Sequence, residues 1–200
     1  MDAWLQLVRL GDPELTLPGA AGVSAWLLAA RAWRMAFWWS LLFGCAVGLV
    51  AASKIMFLGW GGGWQVLGYK ALNGHATGAT ALFPMLFYLL LQERSLRWRA
   101  AGVGAGLLLG ALLVLALAAS GEHNWSEALA GWCAGAAASL GALSLAGSLP
   151  ALRSAHGLLA FVLVFFAGAW LMQWAHIGWW MIKAARLLSG HTHVFDLTIN

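Results

Sequence analysis

The segment best suited to chemistry is a small, polar, glycine-containing stretch at residues 72–80, which holds His75. Asn73 is a typical helix N-cap, and the apolar residues 79–91 predict a membrane helix after it. A histidine at the start of a helix lies beside free backbone N–H groups and the positive end of the helix dipole. Such a position binds anions, of which phosphate is a common example. The alternative is a loop histidine that is hydrogen-bonded at the membrane surface.

A second polar break holds His123 and Glu127, which are four residues apart. On a helix this spacing places both side chains on one face, where the carboxylate could hold an imidazole N–H and support its charged form. Lys54 adds a cation in a third polar break. Two histidines, a carboxylate and a cation suit phosphoryl transfer: one imidazole attacks, the other protonates the leaving oxygen, and the cation with backbone amides binds the phosphoryl oxygens. A solvated, polar start of a helix is the alternative reading of His123 and Glu127.

The composition indicates a membrane protein rather than a soluble domain. Of the 200 residues, 62% are hydrophobic and only 9% are charged. Apolar runs near the length needed to cross about 30 Å of hydrocarbon recur along the chain. The net charge of +4 is not gathered into a basic stripe, so nucleic acid is not predicted as a partner, and anionic lipid fits the basic loops better. We predict an all-α, polytopic membrane helical bundle with about five to six spans.

The chain divides into three parts by polarity. Residues 1–34 are predicted to be an N-terminal interfacial segment, with a short surface helix at residues 4–10 and a helical pattern that begins at Ser24. Residues 35–188 form the membrane domain, and residues 189–200 form a free polar tail. The predicted spans are residues 35–52, 79–91, 100–119, 128–147 and 157–174, followed by an amphipathic piece that ends at Leu188.

Basic residues set the predicted orientation. With the N-terminus inside, seven of the 11 Lys and Arg residues are cytoplasmic and four lie outside. Lys54, His75 and His123 then all emerge at the outer face of a bacterial-type inner membrane. The cytoplasmic set is Arg9, Arg31, Arg34, Arg94, Arg97, Arg99 and Arg153, and the outer set is Lys54, Lys70, Lys183 and Arg186.

These motifs resemble the type-2 phosphatidic acid phosphatase superfamily, which shares its helical core with the vanadium haloperoxidases. The family motifs are Lys-x6-Arg-Pro, Pro-Ser-Gly-His and Ser-Arg-x5-His-x3-Asp. Lys54 matches the first, Asn73-Gly74-His75 matches the second, and His123 with Glu127 matches the third. The resemblance covers roughly residues 54–145. It implies that His123 is the nucleophile, His75 the general acid and Glu127 the residue that orients His123, while Lys54, Asn73 and Gly74 bind phosphate.

The chain departs from the family at both motif arginines. Gly61 takes the place of the first, and Ala116 and Leu117 take the place of the Ser-Arg pair. Arginine contacts phosphate through two parallel charge-assisted hydrogen bonds, so the predicted phosphate clamp is depleted. Lys70, Trp64 or Asn124 could replace part of it.

Three functions remain open on these grounds. The first is a membrane phosphatase that hydrolyses a lipid phosphate or diphosphate monoester at the outer face through a phosphohistidine. The second is a catalytically impaired relative that binds a lipid headgroup or serves as a subunit of an envelope complex. The third is a transporter or scaffold whose histidines line a proton path or cavity. No metal or other cofactor is predicted, and a homo-oligomer stays open.

Overall fold

The structure is a computed structural model and describes residues 2–62, 69–121, 124–147, 154–191 and 193–195. All regular elements in these ranges, apart from an isolated bridge residue at Tyr69, are helices, which confirms the predicted all-α fold. They are α1 (Asp2–Arg9), α2 (Pro13–Ala29), α3 (Trp33–Trp60), α4 (Gly74–Leu90), α5 (Leu96–Ala119), α6 (Trp125–Ala146), α7 (Ser154–Met172) and α8 (Ile177–Ser189).

Four of these helices, α3, α5, α6 and α7, are long and apolar enough to cross a membrane. The 28 residues of α3 extend about 42 Å, more than the hydrocarbon core of a bilayer. Helices α2 and α4 have 17 residues each and lie among the longer ones. The chain is therefore a multi-pass membrane protein.

Helix α4 lies in the middle of the bundle and contacts α2, α3, α5 and α6. It runs parallel to α6, because Gly131 lies against Asn73 and Thr77 while Gly135 lies against Thr77 and Ala81. It runs antiparallel to α5, since Gly102 meets Phe87 and Leu91 whereas Gly110 meets Thr80. Helix α2 also runs parallel to α4, with Gly78 at Thr16 and Gly19 at Leu82. The starts of α2, α4 and α6 consequently share one end of the bundle, which we call the site end.

Glycine allows the backbones of α4 and α6 to touch. A Cβ on Gly131 would lie 2.6 Å from the carbonyl oxygen of Asn73, and one on Gly135 would lie 2.5 Å from that of Thr77. Small residues are the usual means of close helix packing in membranes, where burial of apolar surface between helices gains little. The small-residue pattern of this span thus serves packing within the chain.

The N-terminal part differs from the prediction. Helix α2 begins at Pro13, whereas the predicted helical pattern begins at Ser24. It packs against α7 and α4 inside the bundle instead of lying at the membrane interface. Proline is favoured at the first helical position, where its missing N–H costs nothing, so Pro13 starts the helix. Pro18 is tolerated within α2 and packs against Gly168 of α7.

Because α2 crosses the bundle, the N-terminus lies at the site end. Gly11 contacts His75 directly, and α1 packs against α5. The N-terminus and the site therefore lie at the same end of the bundle, whereas the predicted orientation places them on opposite sides of the membrane. Arg9 joins the site end, whereas Arg31, Arg34 and the loop after α4 lie at the opposite end.

The C-terminal tail is also less free than predicted. The ring of His191 is hydrogen-bonded through Nδ1 to the carbonyl of Gly59 at 2.8 Å, and the N–H of Phe195 donates to the carbonyl of Leu58 at 3.0 Å. This part of the tail covers the end of α3, which is why it is ordered there.

Matched glycine substitutions test the α4–α6 contact. Gly135→Ala should lower the melting temperature in detergent by several degrees, because forcing a methyl against a carbonyl costs about 1–3 kcal/mol. Gly104→Ala is the control, since a Cβ there meets nothing within 4 Å, and it should leave the melting temperature unchanged or raise it slightly. Equal melting temperatures for the two variants would contradict the backbone contact.

Candidate functional site

The segment before α4 is arranged by Asn73. Its Oδ1 accepts a hydrogen bond from the backbone N–H of Ala76 at 2.9 Å, which confirms the predicted N-cap. The side chain is 1% exposed. Asn73 therefore fixes where the helix begins and places His75 in its first turn, and its predicted contact with phosphate stays a prediction.

His75 is paired with an aspartate that the sequence did not single out. Its Nε2 lies 3.0 Å from Oδ1 of Asp12, in the short link between α1 and α2, and both side chains are partly exposed. A Cβ on Gly11 would lie 2.8 Å from both Cβ and the carbonyl oxygen of His75, so the link can approach this closely only with glycine there. Asp12 makes no side-chain cap of its own helix. Its carboxylate is used to hold His75 instead.

Glu127 joins the start of α6 to the segment before α4. Its Oε1 accepts a hydrogen bond from the backbone N–H of Lys70 at 2.9 Å, and its carbonyl accepts one from the N–H of Asn73 at 3.4 Å. The side chain is 5% exposed. Burial and the Glu127 charge raise the pKa of Tyr69, so this phenol stays protonated at neutral pH.

Lys54 is partly buried near the end of α3 and lines a cleft that also touches Gly74. The Glu127 carboxylate attracts it electrostatically. Among the described residues its ammonium makes no hydrogen bond or ion pair. A partly buried cation in such surroundings is well suited to bind an anion.

Three of the predicted residues thus lie at the site end: Lys54 from α3, His75 from α4 and Glu127 from α6. His123 lies outside the described residues, so its position and its role as nucleophile stay predictions. Asn124 directly precedes α6, which begins at Trp125. In the described ranges, no group of three or more His, Cys, Asp or Glu side chains could hold a metal ion.

The two positions that align with the motif arginines, Gly61 and Leu117, have structural roles in this chain. Gly61 ends α3 with φ 66°, a left-handed conformation that side chains rarely adopt, and the ring of Phe195 packs against it. Ala116 and Leu117 are fully buried in α5. Arginine at Gly61 or Leu117 would therefore disturb the fold before it could restore a phosphate clamp.

Two of the proposed substitutes for these arginines, Lys70 and Asn124, are described by the structure. The backbone N–H of Lys70 donates to Oε1 of Glu127, and its Nζ lies 5.9 Å from the centre of the Phe57 ring. Trp64 lies outside the described residues. Two lysines, Lys54 and Lys70, consequently lie at this end of the bundle.

Sequence reasoning missed Asp12 because the two partners are 63 residues apart. Asp12-Pro13 is a recognisable start of a helix, but nothing local connects it with His75. The connection appears only once α2 is seen to run parallel to α4.

Comparison with known proteins gives one informative relative. No family model matches the chain, and no solved structure matches it. The chain is 35% identical, over 154 residues, to the "Uncharacterized 22.5 kDa protein in cps region" of Klebsiella pneumoniae, a match that covers 76% of this chain and 74% of that protein. The chain belongs to the same family as this bacterial protein.

Two substitutions of Glu127 separate its structural contact from its charge. Glu127→Gln keeps an oxygen that can accept from Lys70, so the melting temperature should change little. Glu127→Ala leaves the partly buried N–H of Lys70 without this acceptor and should cost about 1 kcal/mol of stability or more. Thermal unfolding in detergent measures both, and a Gln variant as unstable as the Ala variant would show that the charge, not the hydrogen bond, holds the two segments together.

Proposed function

We propose that this protein is an integral membrane phosphatase of the type-2 phosphatidic acid phosphatase superfamily, acting on a lipid phosphate or diphosphate monoester. The observation that supports it best is that Lys54, His75 and Glu127, from three different helices, lie at the same end of a membrane bundle. These are the residues that the three family motifs supply. Candidate substrates are phosphatidic acid, phosphatidylglycerol phosphate, polyprenyl diphosphate and a lipid A phosphate.

The proposed reaction has two steps. An imidazole nitrogen of His123 attacks phosphorus, a P–N bond forms, and the bond to the leaving oxygen breaks. The leaving oxygen takes a proton from His75, whose Nε2 lies 3.0 Å from Oδ1 of Asp12. A water molecule then attacks the phosphohistidine, gives its proton back to His75 and releases phosphate, which restores His123.

The charges around the reaction have distinct tasks in this proposal. Lys54 compensates the negative charge on the phosphoryl oxygens, with the first N–H groups of α4 beside it. Asp12 stabilises the protonated form of His75 and fixes its ring. Glu127 orients His123 and also keeps the segment at Lys70 in place.

A second candidate function follows from the replaced arginines. Gly61 ends α3 and Leu117 is buried in α5, so neither motif position carries a guanidinium. A relative that binds a lipid headgroup without turnover, or serves as a subunit of an envelope complex, would need only the lysines and the helix start. Two observations would support this second function. The protein would release no phosphate, and it would bind a lipid phosphate with an affinity that His123→Ala does not change.

Phosphate release from the purified protein on a panel of the four lipids tests the proposal. Wild type should release phosphate from at least one, and His123→Ala should abolish release because no other residue accepts the phosphoryl group. His75→Ala should slow it roughly 10²–10⁴-fold, with less effect when the leaving group is good. Release that survives His123→Ala would contradict the mechanism.

A double-mutant cycle tests whether Asp12 acts through His75. Asp12→Asn should lower kcat roughly 10–100-fold, the scale of a lost charge-assisted hydrogen bond, but should have no further effect in the His75→Ala background. Glu14→Gln is the control, since this exposed carboxylate lies two residues further along α2. Additive losses in the double variant would show that Asp12 acts independently of His75.

We further propose that the site end faces outward and the opposite end the cytoplasm. Arg31, Arg34, Arg94, Arg97 and Arg99 lie at the opposite end, in agreement with the excess of basic residues in cytoplasmic loops. The N-terminus then lies outside, at the same face as the site.

Single cysteines in a background without Cys45 and Cys133 test this orientation. Gly62→Cys and Gln6→Cys should react with an impermeant thiol reagent from outside in intact cells or spheroplasts, whereas Ser95→Cys should react only after the membrane is opened. If Gly62→Cys and Gln6→Cys were labelled from opposite sides of the membrane, the position of α2 would be contradicted. If Ser95→Cys alone were labelled from outside, the site end would face the cytoplasm and the proposed orientation would be wrong.

A further inference from the structure

Helix α8 presents two cations and two indole rings to the outside of the bundle. Its opposite side packs on α3, where Ala185 is fully buried and its carbonyl oxygen lies close to Gly59. The exposed residues are spaced three, four and seven positions apart, so they share one face of the helix. We call this the outer face of α8, and it consists of Trp179, Trp180, Lys183, Arg186 and Leu187.

The ammonium of Lys183 lies over both indole rings of this face. Its Nζ is 5.0 Å from the centre of the Trp179 ring and 5.3 Å from that of Trp180, and the two rings meet edge to face with their centres 4.7 Å apart. A cation–π contact of this kind holds the ammonium in place without neutralising its charge. Among the described residues, neither Lys183 nor Arg186 forms an ion pair. Both charges therefore remain open to an anion from outside the chain.

The composition of the outer face fits one layer of the membrane. Helix α8 has 13 residues and extends about 20 Å, which is too short to cross a bilayer, and only residues 173–176 separate it from the membrane-crossing helix α7. Two charges without ion pairs exclude the hydrocarbon, where such groups are costly. Exposed indole rings favour the boundary between hydrocarbon and water over water itself. The headgroup layer satisfies both requirements.

The outer face is separate from the candidate site. Ile177 and Met181 lie on the other side of α8 and line the cleft that holds Lys54 and Gly74. Helix α8 therefore belongs to the site end of the bundle, but its two exposed cations point away from the residues of the proposed reaction. A molecule held at the outer face is a neighbour of the protein and not its substrate.

We propose that the outer face of α8 binds the headgroup phosphates of anionic phospholipids in the leaflet at the site end. Lys183 and Arg186 contact the phosphates, while Trp179 and Trp180 lie where the headgroups meet the acyl chains. The two cations are three residues, or about 4.5 Å, apart along the helix axis, so they can bind one phosphate or two neighbouring ones. Helix α8 has no acidic residue to oppose an anion. The contact is independent of the proposed phosphatase function.

Quenching of a fluorescent label at the outer face tests this contact. Leu187→Cys, in the background without Cys45 and Cys133, carries the label, and phosphatidylcholine vesicles receive a small share of nitroxide-labelled phosphatidylglycerol or phosphatidylcholine. Each Lys or Arg near a lipid surface contributes roughly a fivefold preference, so the relative binding constant should favour phosphatidylglycerol about tenfold or more. Leu163→Cys on α7 is the control. It is exposed in a span without charged residues and should be quenched equally by both lipids.

Charge variants locate the preference on α8. In the labelled protein, Lys183→Gln and Arg186→Gln should each lower the relative binding constant roughly fivefold, and the double variant should abolish the preference. Lys183→Arg keeps the charge and should keep the preference. All four variants should retain the wild-type melting temperature because both side chains are exposed. Salt at about 1 M should weaken the preference as well, since it screens exposed charges.

Three results would overturn the proposed lipid contact. The first is equal quenching of Leu187→Cys by the two lipids, and the second is a preference that survives the loss of both cations. The third is quenching by neither lipid, which would show that the outer face lies against water or against another protein. None of these results bears on phosphate release, so the lipid contact and the phosphatase can fail separately.

Discussion

The parallel contact between α4 and α6 is the constraint on which the rest of the site depends. Gly131 and Gly135 bring the two backbones together, and because the helices run in the same direction, both of their first turns open at the same end. His75 in one first turn and Glu127 in the other consequently lie at one end of the bundle. The hydrogen bonds from Lys70 and Asn73 to Glu127 then fix the connecting segment between them.

Electrostatics explain why these charges can persist at the edge of a membrane. The carboxylate of Asp12 is compensated by His75, and that of Glu127 by a backbone N–H and the attraction of Lys54. A charge in apolar surroundings is costly unless it is paired or hydrogen-bonded, so each has a structural reason to be there. Glu127 attracts Lys54, but the Lys54 ammonium forms no ion pair with the described residues and lines an otherwise apolar cleft. This cation is the physical basis of the proposed phosphate contact.

The sequence predicted most of the helices but not their arrangement. The spans predicted from continuous apolar runs match the ends of α5, α6 and α7 to within four residues. This agreement is expected because a membrane span is recognised from its length and composition alone. The cap at Asn73 was predictable from a local pattern. The passage of α2 through the bundle could not be predicted. Pro13 and Pro18 indicate breaks in a helix, and the sequence does not show the neighbouring helices that accommodate them. The pairing of Asp12 with His75 depends on that crossing, and so does the face on which the N-terminus lies.

In the proposed reaction a histidine accepts the phosphoryl group, and trapping of the phosphohistidine is its most direct test. Purified protein is mixed with a lipid whose terminal phosphate carries ³²P, denatured with alkali after milliseconds to seconds, and analysed for bound label. We predict label that is stable in alkali and lost in acid, as expected of a P–N bond, located on the peptide that contains His123 and absent from His123→Ala. Label on another residue, or release of phosphate with no labelled protein at any time, would contradict the account.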